Sequence, residues 1–386
     1  MGTRAAIAAT LTVITFVLAA AGGCSTTSRK ATPTAVETPT EQASATPVST
    51  TTATSTVSPT STSTTTITIT PAASPTFAAT RYVYLGGGQT VNGSTAAAYS
   101  TWLGTGAMGS TWVTGASLPV PIGANSLLWS SNYLVSGGGY LYGPAGTPTP
   151  MYPYVFSAGA SAGVIGAWSS QAALPTPAAF GGITTDSSYL YFAGGFNSWS
   201  SIVSGSYSAT LSAGAVGSWT SGTPLTDSRG AASFERLASV WYCLGGLSSG
   251  SGAKVQSATL SSGSIGAWTT DVPLPSGRSY TESAIWGNYV YVIGGWGGST
   301  LQSTVYYRPL GSNIPWMTAA PYPVPLNGAA AFAFNGYLYV LGGQLNTGFT
   351  STIRAAPILA DYSLGGWTAV SGLPTAYAWF SAAVGD

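Results

Sequence analysis

The sequence predicts an all-β fold, a ring of six blades built from residues 81–386, and three observations lead there. The first is a run of aromatic and aliphatic residues ending in two glycines, clearest at Gly336-Tyr337-Leu338-Tyr339-Val340-Leu341-Gly342-Gly343. It recurs at Tyr82 to Gly88, Tyr133 to Gly139, Tyr189 to Gly195, Val240 to Gly246 and Tyr289 to Gly295. Aromatic and branched side chains pack well on a pleated surface, so these runs read as buried strands. The second is a tryptophan before a Leu-Pro or Pro-rich segment, at Trp112, Trp168, Trp219, Trp268, Trp316 and Trp367. The third is spacing. Each of the first five tryptophans stands 26 residues before the first Gly of the next pair, whereas the reverse interval varies from 22 to 30. A fixed packed segment thus alternates with loops whose length changes cheaply. A period of about 50 residues made of short strands is the mark of a propeller.

Taken from the start, residues 1–24 read as an export signal, with Arg4 before an apolar core from Ile7 to Ala21. The apolar stretch is short for a bilayer span. Ala21-Gly22-Gly23-Cys24 resembles a bacterial lipobox, with Ala21 where that motif prefers Leu, and makes Cys24 the expected lipidation site. Simple secretion is the alternative. Residues 25–80 are Thr, Ser, Pro and Ala almost throughout and cannot bury enough apolar surface to fold. They are expected to form a disordered spacer, with ends roughly 40 Å apart as a coil and on the order of 180 Å when stretched. Cys243 then stands alone in the strand run Trp241-Tyr242-Cys243-Leu244, where a buried inert thiol is expected.

In the strand order implied by the family resemblance given below, the inner strand of each repeat precedes a tight turn, as Gly328 to Phe334 precedes Asn335-Gly336. Asn-Gly between two apolar runs is the strongest short hairpin signal. The Tyr-rich second strand follows, then a third such as Ser303 to Arg308, then an outer strand with the tryptophan. After Trp367 the next Gly pair would fall at 393, but the chain stops at Asp386. The last inner strand, Tyr377 to Val384, is therefore expected to pair with Arg81 to Gly88, fastening the ring and removing exposed sheet edges.

The Gly-Gly ending a Tyr-rich strand, with a tryptophan about 25 residues on, resembles the kelch repeat, and the resemblance covers residue 80 to the end. Its wording, GxxGxW and LP before YxYVxGG, resembles bacterial extracytoplasmic kelch-like proteins. It implies a four-stranded blade per repeat and the strand order above. The family's basic residue before the inner strand survives only as Arg229 and Arg278. The resemblance also puts the loop after Gly-Gly and the loop before the inner strand on one face. That face is expected to collect Tyr140, Tyr142, Tyr152, Trp199, Trp296 and Phe349 from one set, and Arg229, Arg278, Tyr280, Tyr322, Tyr377 and Trp379 from the other. An aromatic, nearly uncharged face of this kind suits stacking on sugar rings or an apolar protein patch.

Composition narrows the chemistry. Only 5% of residues are charged and the net charge is +1, so no nucleic-acid footprint is indicated. With no histidine, Ser-His-Asp triads and histidine-bound copper are excluded, and no metal or cofactor is expected. Carboxylates remain. Asp227 and Glu282, beside Arg229 and Arg278, are the candidate pair for glycoside hydrolysis, against the alternative of a salt bridge holding adjacent blades. The favoured reading is a recognition module for a glycan or protein outside the cell, lipid-anchored at a bacterial envelope or surface. A hydrolase and a structural envelope protein are the alternatives.

Overall fold

The computed structural model describes residues 81–142, 148–248 and 252–386, and every regular element among them is a strand. The expected signal segment, Cys24 and the spacer lie outside the described residues.

Six blades surround one axis, and each begins at an inner strand. Blade I runs Ser126–Ser130, Tyr133–Gly137, Val155–Ser161, Val164–Ser170. Blade II begins at Gly182–Thr185, blade III at Ser233–Leu237, blade IV at Glu282–Trp286 and blade V at Ala330–Phe334. Blade VI takes its inner strand, Ser381–Gly385, from the end of the chain, and its second and third, Arg81–Gly86 and Ala98–Gly104, from before blade I. The closing pair is antiparallel, from Tyr82 opposite Gly385 to Gly86 opposite Ser381. Arg81 forms an ion pair with Asp386, and the Tyr84 hydroxyl donates to the Asp386 carbonyl at 2.9 Å. The closing inner strand starts at Ser381 rather than at the expected Tyr377. Tyr377 instead ends the outer strand of blade V, opposite Thr350, and Ala378 bridges to Gln89.

The blades stick because the middle of each second strand carries large apolar side chains on both faces. Six apolar clusters fill the six gaps. Tyr291 and Val305 of blade IV meet Leu338 and Ala356 of blade V, for example, and Tyr84 and Ala383 of blade VI meet Leu134 and Ala158 of blade I. Cys243 is buried in the gap between blades II and III, as expected, and burial pushes its thiol up to about 12.

The two sequence marks have distinct mechanical roles. Every indole N–H of the repeated tryptophans donates to a carbonyl of the preceding blade: Trp112 to Gly372, Trp168 to Ala116, Trp219 to Ala172, Trp268 to Thr223, Trp316 to Val272 and Trp367 to Ala320. In every glycine pair the second N–H donates to the carbonyl at the entry of the following blade, as Gly295 does to Leu326 at 2.8 Å. That close approach is why a side chain is refused. Gly294 has φ +59, and a Cβ built there would lie 2.6 Å from the Leu326 carbonyl oxygen. Strain and collision add, so Gly294→Val is expected to cost about 3 kcal/mol or more. Gly366, which has open space around it, is expected to accept alanine with little change. Thermal denaturation of the two variants checks this, and equal melting temperatures would contradict it.

Candidate functional site

The site grows out of one backbone position used six times. The residue two positions before each inner strand is left-handed: Ala124, Phe180, Ala231, Tyr280, Gly328 and Trp379 all have φ between 50° and 57°. In that conformation each N–H turns sideways to the previous blade. Ala124 donates to Trp379, Trp379 to Gly328, Gly328 to Tyr280, Tyr280 to Ala231, Ala231 to Phe180 and Phe180 to Ala124, at 2.7 to 3.2 Å. The hydrogen bonds close a circle around the axis. Bulky residues with positive φ are strained, so their presence here points to a specific use.

That use is an aromatic cap. Phe180 and Tyr280 meet edge to face at 5.3 Å across the intervening Ala231, and Tyr140 stacks on Phe180 at 5.6 Å. Trp199 stands against Tyr140 at 5.0 Å, and Phe349 against Trp379 at 5.6 Å. Gly328 makes room for this, because a Cβ there would collide with the Trp379 ring.

Between the six inner strands lies a cavity of about 320 Å³. Phe180, Tyr280 and Trp379 line it, with hydroxyls from Ser126, Ser233, Thr281, Ser283 and Ser381 and the carboxyls of Glu235 and Glu282. Strand periodicity explains the carboxyls. Glu235 stands four residues after Ala231 and Glu282 two after Tyr280, and even offsets share one face of an inner strand. In blade III that face meets blade IV: the Ser283 hydroxyl donates to Glu235 Oε1 at 2.8 Å, and Ser233 lies 2.8 Å from the Thr281 hydroxyl. Burial pushes Glu235 up to about 7, partly offset by the Ser283 hydrogen bond. Burial also pushes Glu282 well above the ordinary carboxyl range, and the nearby Glu235 charge acts the same way.

The expected site residues are dispersed differently from the sequence expectation. Asp227 and Glu282 do not form a pair. Asp227 is held by Arg229, Nη2 to Oδ2 at 2.8 Å, by Gln256 at 2.6 Å and by Lys254 at 3.4 Å. Burial would raise its carboxyl, but Arg229 and Lys254 outweigh that and hold it below the usual range. Arg229 is fully buried and also donates to the Gly245 carbonyl at 3.1 Å. Arg278 is buried as well, 5.3 Å over the Tyr306 ring with its hydroxyl at 3.1 Å. Both arginines serve the blade interior because a guanidinium set before the inner strand can reach its own blade's carbonyls and phenols. Tyr322 is core, packed on Trp367 between blades IV and V. Tyr140, Tyr142, Tyr377 and Trp379 are buried, while Tyr152, Trp199, Tyr280, Trp296 and Phe349 are half-buried. Tyr152 stacks on Tyr154 at 4.9 Å. The aromatic face therefore packs largely upon itself.

Phe180 and Glu235 were missed. The signal for Glu235 was its even offset within the repeat register. For Phe180 it was only a bulky residue where three other blades have Ala or Gly.

Residues 277–307 match the family model described as Kelch motif, a span that runs through the first three strands of blade IV. No curated protein matches. The solved structure described as "Structure of YjhT" has a TM-score of 0.60 over 74% of this chain and 94% of that one, at 13% identity. At that identity the likeness speaks for the fold. The motif and the six-bladed architecture together support a kelch-repeat propeller, a scaffold suited to a binding or recognition module.

The raised carboxyls set a pH dependence. An unfolded glutamate releases its proton near pH 4.3, by the reference value of about 4.3, while folded Glu235 keeps it to about 7. The folded state holds more protons in that window, so stability falls as pH rises through it. The protein is expected to melt lower at about pH 8 than at about pH 5. Glu282→Gln should raise the melting temperature at the higher pH and flatten the dependence. An unchanged slope would contradict the assignment of the raised carboxyls to this pair.

Proposed function

We propose that this protein is a non-catalytic recognition module whose ligand is a small hydroxyl-bearing unit of a glycan, bound in the central cavity. The observation that carries this is the lining itself. Phe180, Tyr280 and Trp379 share one cavity with serine and threonine residues and two glutamates. Sugars present apolar ring faces and polar edges together, and sites that bind them combine stacking with a few placed hydrogen bonds. The volume lies near the lower end of the usual range for ligand pockets, about 300 Å³ upward, which fits a single sugar ring better than a protein surface. Self-packing of the outer aromatics favours the cavity over the open face. Asp227, salt-bridged to Arg229 and outside the cavity lining, favours binding over hydrolysis by Asp227 and Glu282. The signal-like start and the Thr/Ser/Pro segment support placement outside the cytoplasm, lipid-anchored through Cys24 at a bacterial envelope, with secretion as the alternative.

Titration calorimetry against a panel of monosaccharides and short glycans tests the reading. Tyr280→Ala and Trp379→Ala are expected to weaken binding at least about tenfold, while Asp227→Asn leaves it unchanged in molecules that remain folded. Turnover of a glycoside that disappears in Glu282→Gln would make the protein a hydrolase and overturn the proposal.

A further inference from the structure

The cavity holds an electrostatic imbalance that the sugar reading leaves unused. Glu235, Glu282 and Tyr280 are the titratable side chains in its lining, and no Lys or Arg is among them. The buried arginines that precede the inner strands of blades III and IV are committed elsewhere, Arg229 to Asp227 and Arg278 to Tyr306. The Glu235 carboxyl receives one hydrogen bond, from Ser283, and no hydrogen bond to the Glu282 carboxyl is found among the described residues. Two carboxyls facing one cavity without a cation either keep protons or await a positive charge.

A second observation lies at the capped end. Trp379 is nine-tenths buried, and its indole N–H meets no acceptor among the described residues. The nitrogen edge lies over Gly328, itself part of the cavity lining. The indole N–H groups of Trp241 and Trp296 are also unmet, but of the three only Trp379 belongs to the cavity lining. An unmet buried donor costs free energy that a ligand oxygen would recover.

Resting on the cavity reading above, we infer that the ligand carries a protonated amine beside a hydroxyl, as an amino sugar does. The ammonium sits against Glu235 and Glu282, and a hydroxyl oxygen accepts from Trp379 Nε1. The aromatic walls of Phe180 and Tyr280 add cation–π attraction for an organic ammonium. A metal ion would ask for more hard oxygen donors, and among the described residues no three acidic, Cys or His side chains gather to supply them. Seating the ammonium ionises the carboxyl pair, and the displaced protons pass to solvent.

D-Glucosamine and D-glucose, which differ at one ring position, are the probes. Titration calorimetry of the whole protein near neutral pH, in two buffers of different ionisation heat, is expected to show glucosamine binding at least about tenfold tighter. Its heat should depend on the buffer because protons are released. Glu235→Gln/Glu282→Gln should abolish the preference and the buffer dependence, while Trp379→Phe should weaken both sugars and keep the preference. Equal affinity for the two sugars would overturn the ammonium assignment and leave the cavity reading standing. Binding of neither sugar, or binding that Trp379→Phe and the glutamine variant leave unchanged, would overturn both. Tighter binding of calcium than of glucosamine, lost in the glutamine variant, would overturn the ammonium in favour of a metal.

Discussion

Everything in this molecule hangs on closing a circle with the backbone. Each blade alone is a small sheet with two apolar faces, and neither face is buried until a neighbour arrives on each side. The circle of hydrogen bonds through the left-handed residues from Ala124 to Trp379 fixes how near the axis each blade sits. The glycine-pair amides and the tryptophan indoles repeat the connection farther out. At three radii, then, a donor of one blade meets a carbonyl of the next, and apolar clusters fill the spaces between. The width of the central cavity follows from this geometry rather than from any side chain that lines it.

The outer two connections were legible in the sequence, and the innermost was not. A glycine pair leaves a mark because positive φ and a carbonyl 2.6 Å from a would-be Cβ exclude other residues, as at Gly294. A tryptophan leaves a mark because no other side chain spans the gap and donates at its far end. The inner circle uses only N–H and C=O, so Ala, Phe, Tyr, Gly and Trp all satisfy it and no pattern survives. Closure through Arg81–Gly86 was legible from simple counting, whereas the starting point of the last inner strand was missed because Tyr377 is shared with blade V.

The site was read less well for a related reason. Sequence placed a dozen aromatic and basic residues on one face but said nothing about whether they face solvent or one another. Tyr140 on Phe180, Trp199 on Tyr140 and Phe349 on Trp379 show that they chose one another. Asp227 lies two residues from Arg229, and that local partner decides its role before any distant one can. Glu282 does line the cavity, but its companion there is Glu235, whose offset within the repeat differs by two. In a chain with so few charges, two uncompensated carboxyls in one cavity become the strongest local electrostatic feature.

Hydrogen exchange of the six amides that form the inner circle tests the central claim most directly. If those bonds set the ring, the amides of Ala124, Phe180, Ala231, Tyr280, Gly328 and Trp379 will exchange at one common slow rate, that of global unfolding. Blade VI, fastened by the two ends of the described propeller, will be as protected as the rest. Exchange at Ala124 and Trp379 that is orders of magnitude faster than at Ala231 and Tyr280 would show local opening at the closure. The circle would then be a consequence of blade packing and not its constraint.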